Sequence, residues 1–157
     1  MKRMITHRIG LLACILAAGL VAEVENALAG ERSAAFQATL VWGTNDPQPA
    51  DSKLKPVDGE VAEKLGKLPF KWKYYYAVNR ETFAVNSREP KTVAMSDECE
   101  IVVKTLDDDS VELALRGKGK KVGKVTQKLT GKQMLVTGGN CENLTAWFVV
   151  LSRATRD

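Results

Sequence analysis

The chain has 157 residues, which is enough for one ordinary domain and short for two. Lysine and arginine outnumber aspartate and glutamate by 23 to 19, so the net charge of +4 does not by itself indicate a polyanion partner. The single histidine, His7, lies in the N-terminal leader. The rest of the chain can therefore form neither a Ser-His-Asp triad, nor a Cys-His dyad, nor a histidine-ligated metal site.

The N-terminus has the pattern of a secretory signal peptide. Basic residues precede an apolar run at 9–22, and an A-x-A cleavage sequence ends at Ala29. We therefore predict a signal peptide at 1–29 and a single exported β-rich domain at 30–157, located in the periplasm or outside the cell. An uncleaved anchor and a lipid-modified Cys14 stay open as alternatives. No later segment has transmembrane length, so we expect no membrane span after cleavage.

Two cysteines, Cys99 and Cys141, remain after the leader. An even number of cysteines in an oxidising compartment predicts one disulfide between them. Closing a loop of about 43 residues would stabilise the fold by roughly 4 kcal/mol in the chain-entropy model. The alternative is a pair of reduced thiols. Two cysteines without histidine make a poor zinc site, so we predict no metal.

The first elements of the domain follow from alternation and capping signals. A strand is predicted over 35–43, and its apolar face is formed by Phe36, Ala38, Leu40 and Trp42. The proline-rich segment 44–59 is a predicted loop. A short helix is predicted over 59–68, because Asp58 can cap its start and Pro69 ends it.

The aromatic stretch 70–80, "FKWKYYYAVNR", is predicted to form a strand. The residues expected to share one face are Phe70, Trp72, Tyr74, Tyr76 and Val78. Aromatic side chains interleaved with basic ones can stack on sugars or bases. The more common role of such alternation in a β protein is to fill the core.

The remaining chain reads as short strands separated by turns. The predicted strands are 80–85, a segment around Val93, 99–106, 111–116, 120–129, 133–138 and 144–152. The last is apolar on both faces, so it should be central in its sheet. We predict a mainly β fold, an antiparallel sandwich or barrel-like sheet of about seven or eight strands with one short inserted helix.

The stretch 112–128, "ELALRGKGKKVGKVTQK", is the candidate binding segment. It resembles a phosphate-binding loop, but its glycine spacing is one residue too long and Val125 replaces the hydroxyl residue that the pattern requires. The candidate binding residues are Lys118, Lys120, Lys121, Lys124 and Lys128. In a regular strand, Lys120, Lys124 and Lys128 share one face with Val122 and Thr126. The alternative is that these lysines only protect an edge strand from pairing.

The order of segments resembles that of a group of uncharacterised, exported, β-rich bacterial envelope proteins with no assigned activity. The resemblance is carried by "ATLVWGTN", "LPFKWKYYYAVNR" and "GGN…TAWFVVLSRA", and it spans most of residues 36–154. It implies a bacterial periplasmic or cell-surface setting, and it implies no site residues.

These observations predict a non-catalytic exported binding or assembly module of the bacterial envelope, without a cofactor. It would dock a partner protein or an anionic polymer through the lysine-rich hairpin, and not nucleic acid. The alternative is a small hydrolase that uses paired carboxylates on envelope glycans. Its available acids are Glu60, Glu63, Asp97, Glu98 and Glu100, and their spacing singles out no pair.

Overall fold

The computed structural model describes residues 32–47, 53–87, 89–141 and 144–154. The predicted signal peptide at 1–29, with Cys14, lies outside the described residues. Nine strands and one helix are formed within them: β1 (Ser33–Thr44), β2 (Lys55–Pro56), α1 (Gly59–Gly66), β3 (Tyr74–Asn86), β4 (Lys91–Ala94), β5 (Cys99–Thr105), β6 (Ser110–Gly117), β7 (Lys120–Lys128), β8 (Met134–Asn140) and β9 (Ala146–Arg153).

The strands form two antiparallel sheets that pack face to face. The five-stranded sheet has the order β2-β3-β1-β9-β8, and the four-stranded sheet has the order β4-β5-β6-β7. Each strand pairs only within its own sheet among the described residues, so the fold is a sandwich and not a closed barrel. The prediction of a mainly β fold with one short helix is confirmed.

The main core lies between the two sheets, and we call it the sandwich core. Alternate residues of β1, among them Phe36 and Leu40, face Ile101 of β5 and Leu113 of β6 across it. All four are at most 5% exposed. Burying each of these side chains stabilises the fold by roughly 1.5–3 kcal/mol relative to leaving it in water.

A second core lies on the other face of the five-stranded sheet, under α1. The Asp58 carboxylate accepts a hydrogen bond of 3.0 Å from the Val61 backbone N–H, which caps the helix as predicted. Val61 and Leu65 then lie one turn apart and pack with Val41 and Phe148 of the sheet. Without these contacts an eight-residue helix would be only marginally stable in water.

The aromatic stretch does not form the strand predicted for it from residue 70. β3 begins at Tyr74, and Phe70 and Trp72 lie in the preceding loop. Their rings pack against Phe148, with centroid distances of 4.5 Å and 5.5 Å. Packing under the helix, on the second core, therefore overrides the period-two pattern. The core-filling interpretation is correct for these two rings.

The last strand is central, as predicted. β9 lies between β1 and β8, and its side chains enter both cores in alternation. Phe148 and Val150 belong to the second core, whereas Val149 and Leu151 belong to the sandwich core. This double burial explains why the segment is apolar at nearly every position.

Candidate functional site

The outer face of the four-stranded sheet is open to solvent. Side chains such as Ile101 and Leu113 enter the sandwich core, so their neighbours along β5 and β6 point outwards. Strand register brings five cations onto that face: Lys104, Arg116, Lys121, Lys124 and Lys128. We call these five residues the cationic face. The acids that the same strands place among them are Glu100 and Glu112.

A β-bulge in β7 decides which lysines join the cationic face. Leu115 pairs with Gly123, but the next residue of β6, Arg116, pairs with Lys121. Val122 is therefore an extra residue without a partner on β6. The side chains before and after it do not follow one regular alternation.

Because of the bulge, the prediction that Lys120, Lys124 and Lys128 share one face is wrong. Lys120 does not share a face with Lys124 and Lys128, because it pairs with Gly117, which is out of phase with the outer side chains. Lys121 takes the position in line with Lys124. The sequence pattern missed this shift, because the extra residue is a valine that fits the expected alternation.

Two ion pairs hold part of the cationic face in place. The Lys124 ammonium lies 2.8 Å from the Glu112 carboxylate, and the Arg116 guanidinium lies 3.0 Å from the Glu100 carboxylate. Both pairs join neighbouring strands. Solvent-exposed pairs of this kind contribute about 0.2–1 kcal/mol each, so they orient the side chains more than they stabilise the fold.

The electrostatic potential of the cationic face is positive at Glu112. The hydrogen bond from Lys124 lowers the pKa of the Glu112 carboxyl, and the charges of Lys124, Lys104 and Lys121 lower it further. Within the described residues, no carboxylate lies within ion-pair distance of Lys104, Lys121 or Lys128. These three charges are thus available to an external anion.

The other two predicted lysines lie at the turn between β6 and β7. Lys118 and Gly119 have φ values of 49° and 72°, as a two-residue hairpin turn of type I′ requires. The Lys118 backbone N–H donates to the Glu98 carbonyl at 2.7 Å, and its ammonium lies 3.8 Å from the Glu98 carboxylate. Lys118 is therefore tethered at the end of the sandwich, away from the row formed by Lys121, Lys124 and Lys128.

The predicted disulfide is not formed in the structure. Cys99 and Cys141 both carry free thiols; the first is buried and the second is exposed. Cys99 starts β5 and packs in the sandwich core, whereas Cys141 follows β8 of the other sheet. Burial raises the pKa of the Cys99 thiol to about 11. An even number of cysteines gave no information on whether the two thiols meet.

The five acids named for the alternative hydrolase are distributed over three places. Glu60 and Glu63 lie on α1, Asp97 and Glu98 lie in the turn before β5, and Glu100 lies on the outer face of the four-stranded sheet. A glycosidase needs two carboxyl groups that flank one substrate. This distribution does not single out such a pair.

A cleft of about 400 Å³ beside the start of α1 does contain two carboxylates, Asp58 and Glu60. Asp58 caps the helix and forms an ion pair with Arg80. Glu60 lies 3.1 Å from the Lys132 ammonium. Both acids thus already have cationic partners from the chain.

Among the described residues, three carboxyl groups have clearly shifted pKa values, and all three are lowered. Hydrogen bonding by Lys67 lowers the pKa of Glu63, and hydrogen bonds from the backbone of the Asp109–Ser110 turn lower that of Asp107. Glu112 is the third. The general acid of a glycosidase needs the opposite shift, towards neutral pH.

A cavity of about 850 Å³ lies at the opposite end of the sandwich from the β6–β7 turn. Its lining includes Arg32, which lies 3.1 Å from Asp108, and Arg153, which donates to the carbonyls of Leu129 and Asp108. The Thr105 hydroxyl beside them is buried without a hydrogen-bond partner among the described residues. Both arginines of this cavity thus already have hydrogen-bond partners within the chain.

Sequence reasoning missed Lys104. It lies on β5, outside the lysine-rich stretch, and it joins the cationic face because β5 and β6 form a hairpin in which Lys104 pairs with Glu112. Counting outwards from the aspartate-rich turn between the predicted strands 99–106 and 111–116 would have given this register. Asp107 organises that turn by accepting hydrogen bonds from the backbone of Asp109 and Ser110.

Comparisons with protein-family models, with curated proteins and with solved structures find no match to this chain. Two further observations concern the part of the chain that the structure describes. It contains no helix long and apolar enough to cross a membrane. It also contains no group of three or more histidine, cysteine, aspartate or glutamate side chains placed to hold a metal ion.

Proposed function

We propose that this chain is a non-catalytic, exported binding module of the bacterial cell envelope, and that the cationic face binds an anionic polymer. The observation that carries the proposal is the alignment of Lys121, Lys124 and Lys128 along an exposed edge strand. Lys104 and Arg116 extend the same positive surface across the sheet. The exported setting rests on the predicted signal peptide and on the resemblance to envelope proteins.

The spacing of the cations suits a repeating anion. The partners of Lys121 and Lys124 on β6 are two residues apart, which corresponds to about 7 Å along the strand, and Lys128 follows after about 13 Å. The Debye length is about 8 Å at physiological salt, so Lys121 and Lys124 act together on one bound anionic group, whereas Lys128 contacts a later group of the same chain. The outer face of a β-sheet also presents them on an open surface, as an extended polymer requires.

A polymer is favoured over a folded protein partner by the composition of the face. Its charged residues surround small or polar side chains such as Ala114 and Thr126, and it has no large exposed apolar group on β6. Protein interfaces usually contain buried aromatic or aliphatic anchors. Electrostatic attraction to a charged chain does not need them.

Binding of the protein to an immobilised polyanion such as polygalacturonate or polyphosphate tests the proposal, at low and at high salt. Replacing Lys121, Lys124 and Lys128 together with glutamine should weaken binding at low salt by about tenfold or more. The matched control replaces Lys53, Lys55 and Lys91, which lie outside the cationic face, and it removes the same charge. Equal losses in both variants, or binding that does not depend on salt, would refute a specific cationic face.

The same experiment separates binding from hydrolysis. The length of the polymer is measured after prolonged incubation with the protein. We expect no shortening. Shortening that disappears in a Glu60→Gln variant would instead support the carboxylate hydrolase.

A further inference from the structure

Four aromatic residues lie on three neighbouring strands at one rim of the five-stranded sheet. Trp42 of β1 pairs with Tyr76 of β3 on one side and with Trp147 of β9 on the other. The Trp42 and Tyr76 rings are 6.0 Å apart, and Tyr74 stacks beside Tyr76 at 6.5 Å with planes inclined by 19°. We call Trp42, Tyr74, Tyr76 and Trp147 the aromatic ledge.

The ledge lies where the four-stranded sheet ends. Gly117 closes β6, and a Cβ atom placed there would lie 3.5 Å from the Trp147 ring. Gly139 of β8 lies under the same indole, at 3.6 Å from such a Cβ position. Two glycines thus leave room for the indole at the rim. The ledge has a buried floor and an open end, since Tyr76 is 6% exposed and Tyr74 is 40% exposed.

The two indoles of the ledge have N–H groups that no described residue accepts from. Among the described residues, neither the Trp42 nor the Trp147 indole N–H has a hydrogen-bond acceptor. Trp72 differs, because its indole N–H donates to the Leu144 carbonyl at 3.0 Å. Both ledge indoles are only partly buried, so their N–H groups can reach a ligand.

A cation lies on the ledge side of β7, because the two-residue turn at Lys118 and Gly119 pairs Lys120 with Gly117. Lys120 pairs with Gly117, the glycine that borders Trp147, and it is therefore directed away from the cationic face. It forms no ion pair with any described carboxylate. The turn and the bulge thus divide the lysines between the two surfaces, with Lys121 on the sheet and Lys120 on the ledge side.

We infer that the aromatic ledge binds the sugar rings of an acidic polysaccharide, whose carboxylates are held by Lys120 and by the cationic face. The apolar C–H face of a pyranose ring packs on an aromatic ring, and its hydroxyl groups accept from the free indole N–H groups. The negative charge of the sugar carboxylates complements the positive charge of Lys120 and of the cationic face. This inference rests on the proposed function and specifies its ligand: the anionic polymer is a polysaccharide.

The test compares three polyanions: polygalacturonate, polyphosphate, which lacks sugars, and single-stranded DNA, which offers bases for stacking. We expect the protein to prefer polygalacturonate, and tryptophan emission to shift when it binds. Tyr74→Ala should reduce the affinity for polygalacturonate by about tenfold and leave the affinity for polyphosphate unchanged. Trp42→Phe keeps a ring but removes an N–H donor, so it should reduce the same preference and the emission shift.

The control is Leu106→Ala, which removes an exposed apolar side chain at the other end of the sandwich. Far-ultraviolet circular dichroism and a thermal melt establish that each variant is folded. A preference for polygalacturonate that survives Tyr74→Ala overturns the inference, as does equal binding of polyphosphate, and both leave the proposed function standing. Stronger binding of DNA than of polygalacturonate would show that the ledge stacks on nucleobases, and it would also overturn the inference. Binding of none of the three polyanions overturns both proposals.

Discussion

Lys121 lies directly opposite Arg116 across β6 and β7, so two cations face each other on an exposed sheet surface. Like charges at opposed positions destabilise a β-sheet. Part of this repulsion is relieved because Arg116 also contacts Glu100 on the next strand, at 3.0 Å. The fold therefore tolerates a local electrostatic cost at the end of the cationic face that lies next to the β6–β7 turn.

Because Lys121 faces Arg116, replacing Lys121 with an acid should raise the stability of the fold and weaken anion binding. We expect Lys121→Glu to stabilise the fold by about 0.2–1 kcal/mol at low salt, because it replaces a like-charge pair with an opposite-charge pair. Binding to polyphosphate should weaken in the same variant. Thermal melts and retention on the polymer measure the two effects. Lys120→Glu is the control, since Lys120 faces Gly117; an equal rise in its melting temperature would contradict the bulged register.

Glu112 gives a prediction about pH. Its pKa is lowered in the folded state, mainly by the hydrogen bond from Lys124. The stabilisation is therefore present above the unfolded-state pKa and is lost as the pH falls through the folded-state pKa. We expect Lys124→Met to raise the pKa of Glu112 towards its usual value, as followed by NMR titration of the carboxyl carbon.

The melting temperatures of the wild type and of Lys124→Met should then differ at neutral pH and converge in acid, once Glu112 is protonated in both. Lys53→Met removes a lysine far from Glu112 and serves as the control. A constant difference between wild type and Lys124→Met at all pH values would show that lost packing, and not the charge of Glu112, causes the effect.

The two thiols should react at very different rates. Cys141 is exposed, whereas Cys99 is buried and its pKa is raised to about 11 by burial. At mildly alkaline pH, a thiol reagent should modify Cys141 in the native protein and Cys99 only after unfolding, because the thiolate is the reactive form. Peptide mass mapping assigns each modified site. If the unfolded, unreduced protein leaves both residues unmodified, the free thiols of the structure are incorrect.

Two adjacent glycines in β8 should respond differently to substitution. A Cβ atom at Gly138 would overlap the Trp147 carbonyl oxygen and lie 2.8 Å from the Phe148 Cα atom, so the backbone of β9 would have to move. A Cβ atom at Gly139 would make ordinary contacts, at 3.6 Å from the Trp147 ring. We expect Gly138→Ala to cost about 1–3 kcal/mol or more, as overpacking does.

Gly139→Ala should change stability by no more than about 0.5 kcal/mol. Chemical denaturation of both variants measures the difference. Equal stability of the two variants would show that β8 and β9 are less closely paired at Gly138 than the structure indicates.

The elements that sequence reasoning predicted correctly are those fixed by local signals. Asp58 supplies a cap, and its helix forms because Val61 and Leu65 recur with helical spacing. The final strand is apolar at consecutive positions, which indicated a central place before any pairing was known. In each case the physical cause lies within a few residues of the sequence.

The errors have one physical origin, which is that tertiary contacts chose between equivalent local patterns. Phe70 and Trp72 alternate as a strand would, yet Phe148 holds both rings on the second core. Val122 fits an unbroken strand, and only the register of β6 shows that it is an extra residue. The lysine face was therefore predicted with the correct strand and with Lys120 in place of Lys121.

The separation of the two sheets has a mechanical consequence. No described strand of one sheet is paired through backbone hydrogen bonds with a strand of the other. The four-stranded sheet is joined to the five-stranded sheet by the sandwich core, by the connections after β3 and β7, and by side-chain contacts such as the hydrogen bond from the Gln127 amide to the Met134 carbonyl. Tension on a polymer lying along β7 would act parallel to the interface between the sheets and shear it. The force that such an attachment withstands would be set by interlocked side chains such as Phe36 and Leu113, and not by the backbone hydrogen bonds of either sheet.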